Sequence, residues 1–450
     1  MPGDGLDCDV AVVGGGPGGA AIARLLALAG FETIVLEASS AVREEYRAEL
    51  IQPSSGTVLE ATGAAPEIRA RARRVEGMEV FGHKRRMFRV DYEELGKGTA
   101  LLSMPIHETR SILLGHNVPA GMTVRMGAKV SELIVKDGVV CGVGYRGRDG
   151  SPVTVRARLV IGADGRSSRV RRLAGIEADT KRYSVQIVTM NGQGGEEWLT
   201  HLRLHVHSRR FMALAPAPDG NVRMAWALPV GTFAEARKQP IESLVGQLIA
   251  HVPYTEPWAK QVDGWDKVHL QPLDTAFAHE WARDGLLLIG DAAHAVSPFG
   301  GQGLNMALHD ALIATPLITE ALSSSGYPQA QVLGRLQPMR SAVARTTLKG
   351  GDIILTVFGP RFPQVVRETV MTIGGKLRAP NRFMLPNLAL GTGTVRTQLT
   401  EGRAGFDSLA AQAATAASRR GAAADPPEEE DRPAAAGPEP VADGTQVPLR

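Results

Sequence analysis

The first strong feature of the chain is a short apolar run, Val10-Ala11-Val12-Val13, which follows Asp9 and has the character of a strand buried on both faces of a parallel sheet. A glycine-rich stretch comes directly after it, Gly14-Gly15-Gly16-Pro17-Gly18-Gly19. The pattern then predicts a helix over residues 20–29, closed by Gly30. A second apolar strand, Thr33-Ile34-Val35-Leu36, ends on Glu37, so this opening stretch forms one βαβ unit. Residues 157–162 and 285–290 are two more short apolar strands, each running into a turn with a glycine and an acidic residue. Between them, residues 184–230 alternate as a half-buried antiparallel sheet does. Strands of the parallel kind enclosing strands of the antiparallel kind predict an α/β fold of two interleaved domains.

The end of the chain is different. From residue 409 the sequence is rich in Ala, Pro and Glu, and Phe406 is the last aromatic residue. Such a stretch buries too little apolar surface to offset chain entropy, so 409–450 is expected to be a disordered tail. It carries four basic and seven acidic residues, so the remainder rises from +3 to +6. Over all 450 residues, 44% hydrophobic and 22% charged are the proportions of a soluble globular protein. A net charge of +3 is too close to balance to point to nucleic acid or a membrane surface. Two cysteines, Cys8 and Cys141, exclude a disulfide scaffold and make no metal site of their own, and Cys141 reads as an inert buried thiol. No segment has the 18 or more apolar residues of a membrane span, and the acidic start at Asp4, Asp7 and Asp9 is unlike a signal peptide, so a cytoplasmic location is expected. Glycine is the outlier, 51 residues or about 11%, against about 7% in typical proteins.

The placing of those glycines carries the chemistry. In Gly14-x-Gly16-x-x-Gly19, the first glycine allows a tight turn, the second lets backbone approach a pyrophosphate, and the third lets helix and strand pack closely. The helix N-terminus then offers free amides and partial positive charge to the diphosphate. Glu37 stands where an acid accepts hydrogen bonds from a ribose. This unit alone leaves NAD and FAD open. Further on, the strand 158–162 leads into Ala163-Asp164-Gly165-Arg166-Ser167-Ser168, and Leu286-Leu287-Leu288-Ile289-Gly290-Asp291-Ala292-Ala293-His294 leads into Pro298-Phe299-Gly300-Gly301-Gln302-Gly303-Leu304-Asn305.

With these three motifs in order, the chain resembles the group A flavoprotein monooxygenases, the para-hydroxybenzoate hydroxylase-like family, from about Asp9 to the helix after Asp310. The resemblance implies a doubly wound, Rossmann-like FAD-binding domain at 1–75, 101–180 and 276–330. It also implies a substrate domain on an antiparallel sheet at 76–100 and 181–275, with C-terminal helices at 331–408. Asp291 would bind the ribityl hydroxyls of FAD, with Gly290 in the turn. Pro298, Gly300, Gly301, Gly303, Leu304 and Asn305 would lie along the isoalloxazine ring, with a helix opening near Leu304 aimed at it. Arg47 matches the family arginine near the FAD diphosphate, with Arg43 a weaker candidate. Asp164 and Gly165 match the motif associated with FAD and NAD(P)H. His107 stands where the family commonly has a flavin-contacting Arg or Gln. The implied reaction is NADPH- or NADH-consuming hydroxylation of an aromatic or polycyclic small molecule by molecular oxygen, through a C4a-hydroperoxyflavin, in a setting such as secondary metabolism. The flavin carries the chemistry, and no nucleophile or metal is required of the protein.

Other side chains have plainer readings. His294 serves either the turn or the cofactor, and His309 is expected to face solvent or pack on the following helix. Arg169, Arg171 and Arg172 read as a solvated helix face. His201, Arg203, His205 and His207 alternate along one strand, so they share a face; a metal or a pocket is conceivable there, but a wet sheet face is the expectation. Met212, Leu214, Met224 and Trp226 are assigned to the opposite face, as core or as cover for the flavin. Three rivals share the cofactor. A flavin-dependent halogenase needs a Trp-x-Trp-x-Ile-Pro segment, and Met224-Ala225-Trp226-Ala227-Leu228-Pro229 lacks its first Trp. A geranylgeranyl-type reductase would saturate double bonds without oxygen, and a non-catalytic flavoprotein would only bind an intermediate.

Overall fold

The computed structural model describes residues 6–42, 48–83, 85–115, 117–194, 199–207, 210–297, 301–324, 326–358, 363–377, 387 and 391–422. Its first sheet has eight strands. Leu6–Val13 lies at its centre, paired in parallel with Thr33–Glu37 on one side and Pro152–Gly162 on the other. Met122–Met126 and Leu286–Leu288 extend the parallel part outward. Val10, Ala11 and Val12 are fully buried, which is why this strand shows an unbroken apolar run where a half-exposed one would alternate. The first helix is Pro17–Leu28 and starts earlier than the pattern predicts. Pro17 takes the opening turn, where its missing N–H costs nothing. Gly30, at φ +91°, reverses the chain after the helix.

The second sheet has seven strands, from His269–Ala278 through Ala178–Gly192, Val222–Pro229, Arg210–Pro216, His201–His207 and Gly77–Phe81 to Arg86–Asp91. Its pairing corrects the expected faces. Arg203 pairs with Leu214 and His205 with Met212, while Leu214 pairs with Met224 and Met212 with Trp226. Directly paired residues share a face, so these four apolar residues lie on the same side as Arg203 and His205, not opposite them. Alternation orders the faces within a strand, but the turn between strands sets their relative phase. Nor is this face wet. The segment 241–259 covers it, burying Met212, Leu214, Met224 and Trp226 against Leu244, Leu248 and Trp258. Fully buried Met212 and Leu214 each contribute on the order of 2 kcal/mol. Three of the polar side chains there are paired: His201 meets Asp91 at 2.8 Å, Arg203 donates to Glu79 at 2.9 Å, and His205 meets the Tyr254 hydroxyl at 2.6 Å. The other face, with Leu202, Leu204, Ala213 and Ala225, is turned to a large cavity.

Helices Gly303–Ser323, Leu336–Phe358, Gln364–Lys376 and Gly393–Ala422 complete the described chain. The last runs through residue 422, into the stretch expected to be disordered; 423–450 lie outside the described residues. Composition misled because alanine adds little burial yet is the best helix former. The helix is also anchored: Val395, Leu399 and Phe406 are buried, and Gly402 and Gly405 lie against Leu312 and Pro316 of the helix Gly303–Ser323. Among the described residues, no helix is long and apolar enough to cross a membrane.

Candidate active site

The glycine motif forms a narrow turn. Gly14 has φ +107°, and a Cβ there would sit 2.4 Å from the Ala163 carbonyl oxygen. A Cβ on Gly19 would sit 2.0 Å from the Gly14 oxygen, so helix and strand touch through bare backbone. Gly16 is the reverse case, with open space where a side chain would project. Behind the turn, the Glu37 carboxylate accepts from the Gly15 amide (2.7 Å) and the Ser39 amide (2.9 Å) and pairs with Arg110 at 3.3 Å. Burial pushes this carboxyl up, but those amides and the guanidinium outweigh it and hold it below its usual range. Arg110 also donates to the Gly15 carbonyl at 2.9 Å, so it clamps the loop to the acid. Sequence reasoning missed Arg110. Its only signal is a basic residue shortly before the apolar turn Ile112-Leu113-Leu114 of the helix Ile106–Leu114.

The second motif is a helix cap. Asp164 accepts from Ser168 Oγ (2.5 Å) and the amides of Arg169 (2.6 Å) and Val170 (3.0 Å), while Gly165, at φ +79°, lines the cavity. Arg166 donates to Asp274 at 2.9 Å and stands 3.7 Å from Asp291, bridging the second sheet to the third motif. Arg171 is a correction. It is buried and donates to the Ala292 carbonyl at 2.7 Å, joining the second motif to the third instead of facing solvent. Arg169 and Arg172 are exposed.

In the third motif Gly290 has φ +56°, and its amide donates to Asp310 at 3.0 Å. Asp310 is fully buried and also takes His294 Nε2 at 2.5 Å and Arg340 Nε at 2.7 Å. Burial pushes its carboxyl up, but the charges of His294 and Arg340 prevail and hold it well below the carboxylate range. His294 thus serves the turn.

One cavity of about 1390 Å³ connects these parts. Of the residues singled out from the sequence, Gly16, Gly19, Gly165, Gly290, Asp291, Gly301, Gly303 and Leu304 line it. Gly14 and Glu37 support the turn from behind, Asp164 caps its helix, and Asn305 turns its side chain to Leu50, Ser55 and Gln52. His107 is half-buried, and its neighbour Ile106 is the one on the cavity wall. Arg43, Arg47, Pro298 and Gly300 lie outside the described residues.

The model of a family described as the FAD binding domain matches residues 7–349. The chain belongs to the group A flavoprotein monooxygenases. It is 32% identical over 404 residues to a 6-methylpretetramide 4-monooxygenase of Streptomyces rimosus, covering 88% of this chain and 96% of that one. It is 24% identical over 362 residues to a pentachlorophenol 4-monooxygenase of Sphingobium chlorophenolicum, covering 78% and 64% of the two chains. In fold it is similar to PqsL of P. aeruginosa, solved in complex with 2-aminobenzoylacetate, with a TM-score of 0.70 and 24% identity, covering 81% of this chain and 99% of that one. The protein is therefore an FAD-dependent monooxygenase that uses NAD(P)H.

The site of this flavoprotein fits the cofactor. The cavity is larger than the roughly 300–1,000 Å³ of an ordinary small-molecule pocket, leaving room for a dinucleotide beside a substrate. In its wall, the buried Gln52 side chain has an Oε1 with no hydrogen-bond partner in the protein.

Beside Gln52 lies a hydrogen-bonded chain that corrects the expectation for His309, which is buried and on the cavity wall. Asn305 Nδ2 donates to the Leu50 and Gly301 carbonyls, so Oδ1 is the acceptor for the Gln52 amide and the Ser55 hydroxyl, both at 2.7 Å. With the Ser55 proton spent, His309 Nε2 donates to Ser55 Oγ at 3.2 Å. Burial, with Arg340 nearby, pushes the imidazole down to about 3. Between about pH 6.5 and that value the unfolded chain takes a proton that the folded one refuses, so stability falls by about 1.4 kcal/mol per unit as pH drops. His309→Gln is expected to flatten that slope in urea unfolding at pH 7, 6 and 5; equal slopes in both proteins would refute the assignment.

Proposed function

We propose that this flavoprotein hydroxylates a fused-ring aromatic substrate held between the flavin and the antiparallel sheet. The observation that carries this reading is the continuity of one cavity from the glycine turn to the apolar sheet face. The amides around Gly16, Gly18 and Gly19 would take the FAD diphosphate, and Glu37 the ribose, with Gly14 and Arg110 holding the turn in shape. Asp291 would hold the ribityl hydroxyls. Gly301, Gly303 and Leu304 would flank the ring at the start of the helix Gly303–Ser323, where the helix dipole stabilises negative charge on the reduced cofactor. When bound, FAD supplies the redox chemistry, consuming NAD(P)H and oxygen and releasing water beside the hydroxylated product. The protein's part is to orient the substrate ring and exclude water. The apolar wall of Leu202, Leu204, Phe211, Ala213 and Ala225 suits a ring system, and Thr189, Arg223 and Gln271 are the polar groups on that face that would orient its oxygens.

The direct test follows NADH and NADPH oxidation by the flavin-loaded protein with and without fused-ring phenols, in air and under nitrogen. The expected outcome is substrate-stimulated, oxygen-dependent turnover and a product heavier by one oxygen atom. Turnover under nitrogen to a saturated product would establish a reductase instead. Asp291→Ala is expected to weaken FAD retention by about tenfold or more, the loss of one charge-assisted contact, as read from flavin content after gel filtration. Unchanged content would remove Asp291 from the cofactor site.

A further inference from the structure

We propose that Gly350 sets how large a ring system the substrate cavity accepts. The inference deepens the fused-ring reading above and rests on it. Gly350 lies inside the helix Leu336–Phe358 and lines the cavity. Glycine is the poorest helix former after proline, so its presence there needs a cause. Conformation does not require it, since φ at Gly350 is not positive. Packing against the protein does not require it either, because an added Cβ would meet no atom within 4 Å. Its neighbour Gly351 differs: a Cβ there would come within 3.0 Å of Ser297. What a side chain at 350 would occupy is the cavity itself. One and two turns earlier, Thr346 and Ala342 also line the cavity, so the row of positions in line with Gly350 carries small side chains, while Val343 and Ile353 of the same helix bring larger apolar ones to the wall.

The wall cannot retreat. Near its start the helix is tied by Arg340 to Asp310 at 2.7 Å, both fully buried. Just beyond Gly350, Asp352 takes Lys181 Nζ and the Tyr183 hydroxyl, both at 2.7 Å, from the second sheet. Between these ties the Arg345 guanidinium lies 4.2 Å from the centre of the Phe277 ring. The helix is thus fixed to both halves of the site, and a side chain added at 350 must project into ligand space. The unpartnered, buried Gln52 Oε1 elsewhere in the same cavity is an independent sign that a ligand occupies it.

The test compares wild type, Gly350→Leu and Gly246→Leu, all loaded with FAD. Gly246 is an exposed glycine inside the helix Ile241–His251, also with open space at its Cβ, and serves as the control for adding leucine to a helix. Calorimetric titrations use 1,8-dihydroxyanthraquinone as a fused-ring probe and resorcinol as a single-ring one. Gly350→Leu is expected to weaken anthraquinone binding by about 30-fold or more, with resorcinol affinity changed less than about threefold. Its flavin content should stay at the wild-type level and its melting temperature should not fall. Gly246→Leu should bind both probes as wild type does. Anthraquinone binding retained by Gly350→Leu, equal losses on both probes, or the same selectivity in Gly246→Leu would each overturn the role of Gly350. A wild-type protein that binds resorcinol but not anthraquinone would instead overturn the fused-ring reading, and this inference with it.

Discussion

Replacing Asp310 by alanine is expected to destabilise the protein by about 3–5 kcal/mol and to release its FAD, because a buried ion pair that loses one partner leaves an uncompensated charge. Asp310 and Arg340 are both fully buried, and the same carboxylate takes His294 and the Gly290 amide. Without it the guanidinium has no opposing charge in the core, and the turn that presents Asp291 loses the bond holding Gly290. Urea unfolding gives the first effect and the flavin-to-protein absorbance ratio the second. Asp310→Asn should lie between, since it keeps the shape and loses the charge. The carboxyl is held below its unfolded value of about 3.9, so its stabilising contribution is present above that pH and is lost as pH falls further. Near-wild-type stability and flavin content in Asp310→Ala would show that the cluster matters little.

Gly19→Ala is expected to have the other large effect, a loss of FAD affinity of about 100-fold or more with a destabilised apoprotein. The new Cβ would sit 2.0 Å from the Gly14 oxygen, so turn and helix must separate, at the roughly 1–3 kcal/mol typical of overpacking. Gly16→Ala separates the two causes. Its Cβ meets no protein atom within 4 Å, so the apoprotein should melt as wild type while FAD binding weakens. If Gly16→Ala bound FAD normally, the diphosphate would have to lie elsewhere. If Gly19→Ala did so, the close contact of helix and strand would be dispensable.

What was legible in the sequence follows from locality. The first βαβ unit announces itself because a strand buried on both faces has no polar positions to interrupt it, and because the glycine spacing is local, although the backbone that Gly14 must clear belongs to distant Ala163. Asp291, assigned through the family resemblance, lies on the cavity wall. Long-range partners were not legible. Nothing near Arg110 in sequence reveals that it clamps Gly15 and Glu37, and nothing near His309 reveals Ser55, 254 positions away. Arg171 looked like a surface residue because the carbonyl it meets belongs to Ala292. The faces of the second sheet were misassigned because strand phase depends on turns and not on alternation. The terminal helix was hidden by a composition argument that weighed burial and overlooked alanine's backbone preference.

The order in which the chain is made gives the helix Gly393–Ala422 a further consequence. Thr392, Thr394 and Val395 line the cavity, and Gln398 meets Arg340 at 3.4 Å and the Met339 carbonyl at 2.7 Å. These residues leave the ribosome after every other described part of the cavity wall. A nascent chain short of residue 398 therefore has its glycine turn in place but one side of the chamber open. The chamber in its finished form is complete only once the last helix has emerged and docked.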